Sequence, residues 1–351
     1  MPRRAVRAAT STRTPPPTPP TPTRLSAPVP PETKRGSVRL PLALTVTATA
    51  VALALTGCAS APAPQAESGG SSDLVDVRGD FGETPRVDFP TPLVPDTTQC
   101  TELIEGTGDY LVDGQQALVG LAVYNGTTGE EIQAPQGFGS QDPLPVVLGA
   151  NTLTGLRTGL SCAREGSRVA VVIPPADGFG EAGNAGLGIG AEDSLVVVFD
   201  VQEAFLPRAN GAPRITRDGF PAVVTAPDGR PGITVPDDEP FETTEVEVLK
   251  QGSGETVEDG DRVVVHYTGV LWDDNEVFDS SWENGAPASF IVSEGSGSQV
   301  IPGFAEALIG QQVGSQVGVV IAPEDGYGDA EQAGIPAGST LFFVIDILGV
   351  V

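Results

Sequence analysis

The chain has one histidine, His266, set beside Tyr267 at the end of Val263-Val264-Val265. Phe278 and Asp279 follow, and Tyr327 stands further on in PEDGYG. A single histidine excludes paired-His metal motifs such as HExxH. No GxSxG elbow and no Cys–His pair offers a nucleophile. The run Gly183 to Gly190, GNAGLGIG, has the glycines of a phosphate loop. It precedes a strand pattern rather than a helix and lacks the Lys-Ser/Thr pair, so it reads as a connecting flap. Asp273-Asp274-Asn275-Glu276 lacks the Gly-centred loop and terminal Glu of a Ca²⁺ site and reads as a solvated hairpin tip. What remains is apolar: Val300, Ile301, Phe304 and Phe343 join Tyr267, Phe278 and Tyr327. The Tyr327 hydroxyl, the Asp279 carboxylate and the Ile301 N–H supply the polar points. This set makes an aromatic and aliphatic basin with a few polar points, and it contains no matched acid–base pair.

The elements that must position these residues are mostly strands. Arg262 to Leu271 is a β-branched run whose alternation puts Val265, Tyr267 and Gly269 on one face, His266 and Thr268 on the other. Thr244–Lys250, Ala288–Val292, Gly314–Ile321 and Thr340–Leu348 read as further strands. One short helix is expected over Phe304–Ile309, opened by Pro302-Gly303 and closed by Gly310. An antiparallel sheet crossed by one helix is an α+β fold, with an apolar pocket where the two meet.

The chain also repeats itself. Leu103–Gly114 (LIEGTGDYLVDG) matches Leu249–Gly260 (LKQGSGETVEDG), and RVAVVIPPADGFG from Arg168 matches QVGVVIAPEDGYG from Gln316. SLVVVFDV from Ser194 matches TLFFVIDI from Thr340. Three blocks in the same order at a near-constant offset mean two tandem copies of one domain. The expected division is a leader over 1–57, a flexible linker over 58–83, a first copy over 84–206, a linker over 207–216 and a second copy over 217–351. Pro85–Pro90 and Pro231–Pro236 read as extended pieces ahead of each copy.

The ordered pieces VHYTG (265–269), FDSS (278–281), VIPGF (300–304), PEDGYG (323–328) and GIPAGSTLFFVIDIL (334–348) resemble the FKBP-type peptidyl-prolyl isomerases. The resemblance covers residues 244–351. It implies a curved antiparallel sheet around one short helix, and a pocket made by Tyr267, Phe278, Asp279, Val300, Ile301, Phe304, Tyr327, Ile335 and Phe343. Within it, Asp279 is expected to be buried and hydrogen-bonded. Three positions depart from the family: Phe304 replaces the usual Trp, Ala288 an aromatic, and Gln332 or a neighbour the flap His. The implied activity is cis–trans exchange of X-Pro bonds in unfolded polypeptides, without a cofactor, with macrolide ligands of the family as possible binders. An amide resists rotation by roughly 18–20 kcal/mol, and an apolar pocket favours the less dipolar twisted form without any proton transfer. The first copy keeps the frame but substitutes Leu121, Ile132, Gln133, Leu153, Leu156, Phe179 and Val197 at pocket positions, so it reads as degenerate. A non-catalytic chaperone or binding module of the same fold is the competing reading.

Lys34, Arg35 and Arg39 precede an apolar run from Leu40 to Leu55, a secretory signal pattern too short for a membrane span. Its end, Leu55-Thr56-Gly57-Cys58, resembles a bacterial lipobox, which implies a diacylated Cys58 and a lipid anchor on the extracytoplasmic face of the cell membrane. Eight of the 19 basic residues but one of the 46 acidic ones lie before Cys58, leaving 11 against 45, a formal −34. That charge disfavours nucleic acid as a partner. Cys100 and Cys162 remain, an even pair in an exported chain, and are expected to be bridged if their Cα atoms come within about 7 Å.

Overall fold

The computed structural model describes residues 62–332 and 334–351. The leader and Cys58 lie outside the described residues. Among the described residues no helix is long and apolar enough to cross a membrane.

The two copies share one topology. The first contains a hairpin, β1 (Asp76–Arg78) and β2 (Arg86–Asp88), then β3 (Gln99–Ile104), β4 (Gln116–Asn125), β5 (Glu131–Gln136), β6 (Leu144–Val147), helix α1 (Thr154–Leu160), β7 (Arg168–Ile173) and β8 (Leu195–Ala204). The sheet order is β3-β7-β8-β4-β5, with β6 also on β4. After the short β9 (Ala212–Pro213), the second copy repeats the plan: a hairpin of β10 (Ala222–Thr225) and β11 (Pro231–Thr234), β12 (Glu245–Gln251), β13 (Arg262–Leu271), β14 (Val277–Ser280), β15 (Ala288–Ile291), α2 (Pro302–Leu308), β16 (Gln316–Ile321) and β17 (Leu341–Val350). Its order is β14-β13-β17-β16-β12-β9, with β15 on β13. All ladders are antiparallel. These are tandem α+β domains, as the repeated pattern predicts.

Alternation along the central strands explains the layering. Val317, Val319, Ile321 and Phe343 face α2, while Val320, Phe342 and Val344 face the other way. The hairpin covers that second face through Val223 and Ile233. In the first copy, Val75, Val77 and Val87 do the same over Ala170, Val172 and Val196. Strands covered on both faces read as continuous apolar runs. Gly303 lets α2 lie close on the sheet, since a Cβ there would sit 2.6 Å from Ile321 Cγ2. Cys100 and Cys162 form a disulfide, Cα atoms 6.5 Å apart, tying the end of α1 to the edge strand β3.

Two expected linkers are not free. In the segment assigned as the 58–83 tether, the Gln65 N–H donates to Ser161 Oγ at 2.7 Å, Ser72 is fully buried, and β1 pairs with β2. It packs because Val75 and Val77 cover apolar sheet that would otherwise meet water. The hairpins therefore belong to the duplicated unit. In the 207–216 segment, Ala209 N–H donates to buried Asp346 at 2.8 Å, Gly211 N–H to Gly314 O at 2.9 Å, and β9 extends the second sheet beside β12. Just before it, Phe205 and Leu206 pack with Leu118 of one copy and with Val264 and Leu348 of the other.

Candidate active site

Strand β13 carries Tyr267 at mid-length, facing α2. Asp279 lies opposite Gly269 on β14, next to a register shift between Gly269 and Val270. Phe343 on β17 also stands opposite Gly269. A Cβ at Gly269 would come within 2.6 Å of the Phe278 ring and 2.7 Å of the Phe343 ring. The missing side chain is what lets those two rings meet edge-to-face at 5.4 Å. Phe304, on the first turn of α2, is the hub. Its ring meets Phe343 at 5.2 Å, Tyr267 at 5.9 Å and Phe290 at 6.1 Å, each nearly perpendicular. Such edge-to-face pairs place ring edges against ring faces and fix the walls.

The cavity enclosed has a volume of about 430 Å³. Of the nine residues expected in the pocket, Tyr267, Phe278, Asp279, Val300, Ile301, Phe304, Tyr327 and Phe343 line it. Ile335 does not. It is 5 % exposed in the core, held by reciprocal backbone hydrogen bonds with Gln332, both at 3.0 Å. Asp279 departs from expectation differently. It accepts a 2.5 Å hydrogen bond from the Tyr267 hydroxyl, but it is exposed rather than buried. Strand β14 is the sheet edge, and a carboxylate with one internal donor keeps its remaining lone pairs in water.

Three lining residues were missed: Phe290, Ser298 and Gln299. Phe290 could have been found by alternation. It lies two residues beyond Ala288 on β15 and puts a ring on the face to which Ala288 contributes none. Ser298 is a loop residue that only the folded chain brings in. It accepts from Val300 N–H at 3.3 Å and donates to Val300 O at 3.0 Å.

The polar groups differ in availability. Burial, then the hydrogen bond to Asp279, push the Tyr267 hydroxyl well above the usual phenol range, so it stays a neutral donor. Among the described residues neither the Tyr327 hydroxyl nor the Ile301 N–H has an internal partner, and both belong to the cavity wall. Ile301 is the residue capping α2, where a helix leaves N–H groups unsatisfied. Two free donors on residues that line an aromatic cavity can take two carbonyl oxygens of an extended chain.

His266 points the other way. It is 3 % exposed, stacked on Trp282 at 3.9 Å, with Nδ1 2.9 Å from Ser281 Oγ. The same Ser281 Oγ accepts from Tyr267 N–H at 2.8 Å, and Thr268 and Ser280 share a hydroxyl pair at 2.9 Å. The serines of FDSS thus pin β14 and the turn after it to β13. In the first copy, Val123 stands where Gly269 is, opposite Gln133, and Leu121, Val123, Ile132, Leu156 and Phe179 pack on the core. Val123 carries the branched side chain that Gly269 leaves out, and the ring position of Phe343 is held by the smaller Val197.

A family model described as FKBP-type peptidyl-prolyl cis-trans isomerase matches residues 115–202 and 253–348, more than half of the chain. The isomerase FkpA of Escherichia coli strain K12 is 42% identical over 104 residues, 30% of this chain and 36% of that protein. The chain therefore spans about a third of the length of that relative. FK506-binding protein 1A of Neurospora crassa is 40% identical over 108 residues, covering 30% of this chain and 87% of its own. An FK506-binding protein of Streptomyces anulatus is 34% identical over 123 residues, 34% of this chain and 97% of its own. With both repeats matched, the chain belongs to the FKBP-type peptidyl-prolyl cis-trans isomerase family and carries that family's domain twice.

Proposed function

We propose that residues 217–351 catalyse cis–trans exchange of X-Pro bonds in polypeptides folding outside the cell membrane, and that a lipid on Cys58 holds the chain there. The observation that carries the catalytic reading is the aromatic cavity with two unpartnered donors, Ile301 N–H and Tyr327 hydroxyl. A prolyl ring fills the space between Phe304, Phe343 and Phe278. The donors hold flanking carbonyls, and the apolar walls favour the twisted, less dipolar amide over the planar one. Uncatalysed exchange takes tens to hundreds of seconds, slow enough to limit folding. FK506-type macrolides compete for the same cavity.

Residues 84–206 form the non-catalytic copy, with the segment from Gln65 as its outer cover. Exchange spectroscopy of an X-Pro peptide with the whole protein tests the activity. Acceleration is expected, and a rate equal to the uncatalysed one would refute it. Fatty-acid labelling tests the anchor: the label is expected on the wild type and absent in Cys58→Ser.

A further inference from the structure

We propose that the cleft between the two copies is a second ligand site, which takes a short peptide segment through a carboxylate. The cleft has a volume of about 580 Å³ and is lined by residues of both copies and of the segment joining them. Three of the 11 basic residues beyond Cys58 converge there: Arg157 from α1, Arg208 from the joining segment and Arg230 from the turn of the second hairpin. Convergence is unexpected in a chain with 45 acidic residues against those 11, where scattered arginines would find carboxylates anywhere.

The three guanidiniums retain unused donors. Arg157 approaches Asp113 only to 3.9 Å, and its Nε is buried with no acceptor. Arg230 donates to Trp282 O at 3.0 Å, a backbone carbonyl. Among the described residues neither Arg208 nor Arg230 forms an ion pair. Two acids share the cleft. Asp228 accepts its own turn's Arg230 N–H at 3.1 Å, and Asp113 accepts from Gln65 Nε2 at 3.4 Å. The balance at the cleft is one net positive charge. The rest of the acidic surface is screened beyond about 8 Å at physiological ionic strength, so local guanidiniums decide what is held.

The walls select a peptide over a bare ion. Trp282, stacked on His266, forms one side, with Leu148 and Pro207 among the others. Gly229, at φ +109°, allows Trp282 and Arg208 to close on it: a Cβ there would lie 2.6 Å from the Trp282 ring and 2.9 Å from Arg208 Cβ. A space of this size, with apolar walls from Trp282, Leu148 and Pro207 and three forked donors set against two carboxylates, suits an organic carboxylate with a side-chain body. The shape is preformed, because Phe205, Leu118, Leu348 and Val264 pack the copies together and Asp346 holds the joining segment. The site lies on the His266 face of β13, opposite the Tyr267 face, so the two ligands do not compete.

The test uses the whole protein and a blocked, proline-free heptapeptide containing Leu-Glu-Leu, with a Leu-Gln-Leu twin, followed by titration calorimetry. The Glu peptide is expected to bind at least fivefold more tightly than its twin, and the preference is expected to vanish in Arg157→Gln/Arg208→Gln. The rate of X-Pro exchange is expected to be unchanged in that variant, as is its melting temperature. Equal affinity for the twins, or no binding of either, overturns the proposal. So does inorganic phosphate displacing the Glu peptide at equimolar concentration, which would mean a simple anion site. Because the peptides lack proline, failure here leaves the prolyl site untouched, and failure of X-Pro exchange leaves this one untouched.

Discussion

The Tyr267 hydroxyl donates to Asp279 Oδ2 over 2.5 Å, from mid-strand β13 to the exposed edge strand β14. That bond consumes the only side-chain donor of Tyr267, whose ring meets Phe304 edge-to-face. Tyr267 is therefore a wall of the cavity, while the Tyr327 hydroxyl, without an internal partner among the described residues, is the group that the proposed function gives to substrate. The two tyrosines should respond differently to loss of the hydroxyl.

Tyr327→Phe is expected to lower kcat/KM for an X-Pro peptide about fivefold, the value of one hydrogen bond of about 1 kcal/mol, without changing the melting temperature. Asp279→Ala should act more weakly, because the freed Tyr267 hydroxyl can turn to water at the rim. Exchange kinetics alongside thermal melts check both, and an equal loss in the two variants would contradict the division of roles.

Gly269→Val copies the residue that the first copy has at the same place. The new side chain meets Phe278 and Phe343 at 2.6–2.7 Å already at its Cβ. Exchange should fall to the uncatalysed rate and stability by about 1–3 kcal/mol, the usual cost of overpacking. A urea titration with the kinetic assay checks it.

The proposed catalysis, which transfers no proton, predicts a flat kcat/KM between about pH 5 and 8, whereas stability should not be flat. Burial pushes His266 down to about 4 from an ordinary 6.5. Above pH 6.5 the folded and unfolded chains are both neutral there. Between 6.5 and about 4 the unfolded chain binds a proton that the folded chain refuses, so stability falls as pH falls, by up to about 3 kcal/mol. Buried Asp346 is raised, chiefly by desolvation, and acts with the opposite sign. The expected signature is thus a shallower loss in His266→Gln than in the wild type, read from melts at pH 7 and 4.5.

In the first copy Arg168 donates to both oxygens of Asp200 at 2.6 and 2.7 Å, and to the Gly79 and Asp80 carbonyls at 2.6 and 2.9 Å. In the second, the same two positions are Gln316 and Asp346, and the carboxylate holds Ala209 instead. Arg168→Met leaves Asp200 buried and unpaired, and should cost about 3–5 kcal/mol. Hydrogen exchange should show the β1–β2 hairpin opening first. Arg168→Met/Asp200→Leu should recover most of the global stability but leave the hairpin loop, with its carbonyls unpaired, still exchanging.

The tandem repeat and the α+β plan were legible in the amino-acid order because they rest on local signals, and most of the cavity wall was legible through the family resemblance of its ordered motifs. Alternation in Val263–Leu271 assigns faces, Pro302-Gly303 opens the helix, and three matched blocks declare a duplication. The tertiary structure decided what depends on distant partners. Asp279 could be placed beside Tyr267 but not judged exposed, since exposure follows from β14 being the edge. Ile335 turned into the core because Gln332 ties its backbone. The segments around Gln65 and Ala209 look like linkers by composition, yet they are held by Ser161 and Asp346, some 96 and 137 residues away in sequence. The arginine cleft has no local signature at all. Arg157, Arg208 and Arg230 are unremarkable one by one, and only the packing of one copy against the other makes them neighbours.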